Sequence, residues 1–132
     1  MCSGTSRPAV ADVAPVAPNV VVLADDLIWA TRLAEAITAA GAHPQPARRL
    51  ADLERLLAEA AGFAIVDLTA RAYDGVEAVR TAHGTGARVV AVGQHDDAAL
   101  RRAAMAAGAE RVYTYRALFE DGPRTLGAWL AR

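Results

Sequence analysis

Two uninterrupted apolar runs, Val20-Val21-Val22-Leu23-Ala24 and Phe63-Ala64-Ile65-Val66, stop abruptly at aspartate, the first at Asp25-Asp26 and the second at Asp67. Short runs without polar alternates are what strands buried on both faces of a parallel sheet require. Apolar residues at helical spacing follow each of them: Ile28, Leu33, Ala34 and Ile37 before Gly41, and a helical stretch from Gly75 to Ala82. The same alternation predicts an edge strand around Ala42 to Pro46 and a helix from Ala51 to Ala61 carrying Leu53, Leu56 and Leu57. It continues with a strand from Arg88 to Val92, a helix from Asp97 to Ala107 stopped by Gly108, and a fifth strand from Arg111 to Tyr115. A last helix is expected from Leu118 to Arg132, restarted at Pro123, since proline suits a first helical turn. Five such units define an α/β fold, a doubly wound five-stranded parallel sheet with helices on both faces.

With 132 residues the chain fits one domain. Residues 1–18 are expected to be a disordered Ala/Pro-rich tail and residues 19–132 the folded domain. The tail has no charged segment leading into an unbroken apolar stretch, and Pro8, Pro15 and Pro18 would interrupt one, so it is not expected to be a signal sequence. No later apolar run is long enough to span a bilayer. Cys2 is the single cysteine, which excludes an internal disulfide and makes the cytoplasm the expected compartment. A net charge of −1 gives no electrostatic footprint for nucleic acid or an anionic membrane. The chain has no lysine, which excludes a Walker A phosphate loop and any lysine base or Schiff base. Its serines, Ser3 and Ser6, both lie in the tail, which argues against a serine hydrolase.

In a doubly wound sheet the ligand site lies outside the carboxyl ends of the central strands. Asp25 and Asp26 close the first strand and Asp67 the third, so all three carboxylates belong to one rim. Gathered carboxylates repel unless a cation sits among them, and an oxygen-rich site with room for water suits Mg²⁺. The simpler roles are a helix cap for Asp26, a solvated loop position for Asp25 and a turn for Asp67.

Val22-Leu23-Ala24-Asp25-Asp26 resembles the first strand and acidic pair of CheY-like response-regulator receiver domains. Ala64-Ile65-Val66-Asp67-Leu68, followed by Asp74-Gly75, resembles their phosphoacceptor strand and the start of the next helix, at the same seven-residue step. Val89 to Val92 and Ala106-Ala107-Gly108-Ala109 resemble their fourth strand and the turn into the fifth. The resemblance spans Asn19 to Arg132. It implies a flavodoxin-like (βα)5 receiver fold, with Asp67 as acceptor of a phosphoryl group from a histidine kinase. It also implies Mg²⁺ held by Asp26 and Asp67 directly, by Asp25 through water and by the main-chain carbonyl of Thr69. Such chemistry is nucleophilic catalysis by a carboxylate, with metal neutralising the transferring group.

Three switch positions depart from that pattern. The usual Thr or Ser of the fourth strand falls on Gly93, the aromatic of the fifth strand on Val112, and the lysine that pairs with the phosphoryl group on Tyr115. A charge-assisted hydrogen bond contributes roughly 1.5 to 3 kcal/mol, so a neutral phenol there is expected to weaken phosphoryl transfer or retention by about one to two powers of ten. Arg71 and Arg116 are the candidates for compensating charge, although strand alternation would turn Arg116 away if Tyr115 points in. Gln94 and His95 occupy the positions that gate the acceptor in the family, and Trp29, on the first turn after Asp26, is expected to be surface packing placed where it could also sense the pocket.

The expected function is an atypical receiver module, not an enzyme, that works by contact with a protein partner such as a histidine kinase or an output protein. A working phosphoacceptor at Asp67 is the alternative. A Mg²⁺-dependent phosphohydrolase is a third, disfavoured by the missing Asp-x-Asp motif and the missing lysine. A homodimer through the last two helices is implied by the resemblance alone.

Overall fold

The computed structural model describes residues 17–59 and 61–132, so most of the expected tail lies outside the described residues. Five strands and five helices alternate: β1 (Asn19–Leu23), α1 (Leu27–Ala39), β2 (His43–Ala47), α2 (Leu50–Glu59), β3 (Phe63–Asp67), α3 (Gly75–Gly84), β4 (Arg88–Gly93), α4 (Ala98–Ala107), β5 (Val112–Thr114) and α5 (Tyr115–Leu130). All strand pairings are parallel, in the order β2-β1-β3-β4-β5. The chain is an α/β flavodoxin-like sandwich, as the alternation of apolar runs predicted.

Period-two alternation divides the core between the two faces. Val20, Val22, Ile65, Val90 and Val92 face α1 and α5, where they meet Leu33, Ile37, Leu126 and Trp129. Val21, Leu23, Ala64, Val66 and Ala91 face the other side, against Leu53 of α2, Val79 of α3 and Ala104 of α4. The weak edge segment is indeed an edge: β2 pairs only with β1, and its Pro44 and Pro46 suit a strand with one free side. Its pairing starts early, since the His43 N–H donates to the Pro18 carbonyl at 2.8 Å.

The fifth βα unit differs from expectation. β5 stops at Thr114, whose hydroxyl accepts the N–H of Ala117 at 3.0 Å and caps α5, so Tyr115 is the first helical residue instead of the last strand residue. A good capping side chain two residues after Val112 outweighs the β-propensity of the tyrosine beside it. α5 therefore starts three residues before Leu118. It breaks at Asp121 (φ −149°, ψ 38°) and resumes through Pro123. At the break Gly122 faces α1, and a Cβ there would lie 3.1 Å from that of Ala36. At the opposite rim from the carboxylates, Arg88 of β4 grips Glu110 at 2.8 and 2.9 Å and reaches the Trp129 carbonyl at 3.2 Å, anchoring the end of α5 to the sheet.

Candidate functional site

β1 and β3 are adjacent, and the connections leaving them run to opposite edges of the sheet, so their carboxyl ends flank the switch point. A cleft of about 540 Å³ opens there, lined by Asp25, Asp26, Trp29, Asp67, Thr69, Arg71, Gln94 and Tyr115. The acids expected to share one rim do share this cleft. Gly93 and Val112 do not line it.

Asp67 is the one buried charged side chain among the described residues, 2% exposed at the end of β3. Its Oδ1 accepts the Thr69 N–H and the Thr69 hydroxyl, each at 3.0 Å, and the Tyr115 hydroxyl, which also touches Thr69 Oγ1. Tyr115 thus points into the cleft from the first turn of α5, and its ring lies 4.6 Å from that of Trp29 on α1. Arg116 points away and pairs with Glu120 at 3.0 Å. The side chain of Thr69, not singled out beforehand, is a direct partner of the carboxylate.

The other two aspartates serve the backbone. Asp26 caps α1: its Oδ1 accepts the N–H groups of Ile28 (2.9 Å) and Trp29 (3.1 Å). Asp25 holds the loop after β3, its Oδ2 accepting the N–H groups of Arg71 (2.8 Å) and Ala72 (2.9 Å). Among the described residues no three acidic, histidine or cysteine side chains come together as a group able to hold a metal ion. Mg²⁺ demands near-ideal octahedral geometry, and this donor set, turned toward three different backbone or side-chain partners, does not fit it.

Tyr73 is a residue that the sequence reasoning missed. Its hydroxyl lies 2.9 Å from the Leu23 carbonyl and 2.7 Å from the Asp67 carbonyl, tying the ends of β1 and β3 together beneath the cleft. An aromatic immediately before Asp74-Gly75, in a loop that must fold back over the strand ends, is the signal that could have found it.

Burial pushes the Tyr73 phenol above the ordinary tyrosine range, and the nearby Asp67 and Asp25 carboxylates push it further. Burial also raises Tyr115, reinforced by its bond to Asp67. Tyr113 is raised by burial as well. Below pH 10.0, their ordinary value, these phenols are neutral in both folded and unfolded chains. Above it the unfolded chain releases protons that the folded chain retains, so their contribution to stability is lost as pH rises toward the folded values. Urea unfolding followed from neutral to strongly alkaline pH should show stability falling above pH ~10, with a shallower fall in Tyr115→Phe. An identical slope in that variant would contradict the burial and bonding of Tyr115.

No family model matches the chain, and no curated protein matches it in sequence. Solved structures do match. A response regulator from Burkholderia pseudomallei, crystallised with a phosphorylated aspartic acid, a calcium ion and citrate, superposes with TM-score 0.68 at 20% identity, over 86% of this chain and 71% of that one. A response regulator from Thermotoga maritima gives 0.76 at 14% identity, over 89% of this chain and all (100%) of the other. A LuxR-family regulator from an Aurantimonas species gives 0.75 at 22% identity, over 87% and 86%. The architecture is that of a response-regulator receiver domain. No helix among the described residues is long and apolar enough to cross a membrane.

Proposed function

We propose that the chain is a receiver-like signalling module that works through contact with a protein partner, and in which phosphorylation of Asp67 is weak or lost. The observation that supports this reading is the buried Asp67 carboxylate, one oxygen of which receives Tyr115 and Thr69 together. Donors on a carboxylate stabilise its ground state and reduce its nucleophilicity. After transfer the same phenol, being neutral, offers a phosphoryl dianion much less than an ammonium would. No step passes through Mg²⁺, because the donor set does not fit it. The partner is taken to be a protein, since a net charge of −1 gives no attraction for polyanions.

A second reading, a working phosphoacceptor, is favoured by one feature: Asp67 Oδ2 accepts no hydrogen bond from the described residues, and Arg71 lines the same cleft. Labelling with acetyl phosphate, followed by intact mass, separates the two. Tyr115→Lys restores the missing ammonium and should label roughly 10- to 100-fold faster than wild type, with Asp67→Asn unlabelled. Wild type labelling as fast as Tyr115→Lys would establish the second reading and defeat the first.

A further inference from the structure

A cation shared by Asp25, Asp26 and Asp67 needs three carboxylates free to turn toward one point. We infer that Asp26 is committed to capping α1, and that the cleft for this reason does not take Mg²⁺: each carboxylate is held through one oxygen by donors of the chain itself, and among the described residues the acids do not gather as a group able to hold a metal ion. A helix start leaves four N–H groups without intrahelical partners, and the residue before the first turn is the one placed to receive them. Leu27 follows Asp26 directly and has no acceptor, so the cap can fall only on Asp26. The backbone agrees: Asp26 is extended (φ −88°, ψ 117°), as capping residues are, and its carboxylate takes two amides at 2.9 and 3.1 Å.

Asp25 is held in the same manner by the amides of Arg71 and Ala72, and Asp67 by Thr69 and Tyr115. Five backbone N–H groups and two side-chain hydroxyls thus occupy one oxygen of each carboxylate, where a hydrated cation would otherwise be needed: two amides on Asp25, two on Asp26, a fifth on Asp67, and the Thr69 and Tyr115 hydroxyls on Asp67. Turning Asp26 toward a metal would strand the amides of Ile28 and Trp29. The inference is independent of whether Asp67 accepts a phosphoryl group.

The test is a magnesium chloride titration of the full chain, followed by amide NMR shifts. Leu27 is 70% exposed, so Leu27→Ser leaves the core intact and supplies a cap one residue later, releasing Asp26. Leu27→Asn repeats this with a second capping side chain, and Asp26→Asn keeps a capping oxygen while removing the charge. Wild type and Asp26→Asn should show no saturable shifts at Asp25, residue 26, Trp29 or Asp67 through the millimolar range. Both Leu27 variants should bind about tenfold or more tightly than wild type, the gain of one charged ligand. Saturable shifts in wild type that vanish in Asp26→Asn would overturn the inference. So would Leu27 variants as silent as wild type, because the cap would then not be what withholds Asp26.

Discussion

Trp129→Ala is expected to destabilise the domain by about 3 to 5 kcal/mol, the usual cost of truncating a large buried aromatic. Trp129 is 1% exposed and heads the fully buried side chains by volume. It lies edge-on to Phe63 at 5.4 Å between centroids, so the last turn of α5 is packed onto the start of β3. Small domains have total stabilities of about 5 to 15 kcal/mol, and a loss of this size leaves a substantial unfolded fraction at moderate urea. A shift of the urea midpoint, with the slope unchanged, measures it. Trp129→Phe should recover most of the loss and leave Trp29, in tilted contact with the Tyr115 ring, as the single tryptophan. A midpoint for Trp129→Ala within ~0.5 kcal/mol of wild type, the range of ordinary surface changes, would show that α5 is not docked as described.

Gly75→Ala carries the second large effect, and this one reaches the cleft. A Cβ at Gly75 would lie 2.8 Å from the Leu68 Cα and 2.9 Å from its carbonyl oxygen, contacts with backbone that no rotamer change relieves. Either α3 or the loop after β3 has to move. Overpacking of this kind costs about 1 to 3 kcal/mol. Because Leu68 stands between Asp67 and Thr69, the displacement also disturbs the bonds of Thr69 and Tyr115 to the carboxylate. Amide shifts should therefore extend from residue 75 to Asp67, Thr69 and Tyr115. Shifts confined to α3 would refute the coupling. By contrast, a Cβ at Gly93 would meet nothing closer than the Leu68 Cδ1 at 3.4 Å, an ordinary contact. Packing does not demand that Gly93 be a glycine.

The contrast between Asp67 and its two neighbours shows where sequence reasoning reached and where it stopped. That Asp25, Asp26 and Asp67 share one rim of the sheet follows from apolar runs of strand length alternating with helices, and the structure bears it out. That they would converge on a cation was inferred from residue type and position alone. Whether a carboxylate faces a cleft or an amide depends on the donors around it, and those come from residues such as Arg71, Ala72 and Tyr115, more than 40 positions away from the acids they serve. Asp26 is the exception. Its cap was legible locally, because Leu27 offers no alternative acceptor.

Tyr115 marks the same boundary from the other side. By resemblance alone its place is the one where receiver domains carry a lysine, and the chain has no lysine anywhere to supply that ammonium. Yet strand alternation was the wrong frame for its direction, since Thr114 caps a helix that Tyr115 begins. The sequence by itself determined the sheet, the rim on which the carboxylates lie and the absence of any lysine, because period, length and residue identity are local properties. Only the tertiary structure decided that Tyr115 and Thr69 close on Asp67, that Asp25 holds the loop after β3, and that Tyr73 clamps the strand ends, because a hydrogen bond is made by whichever donor the completed fold brings within reach.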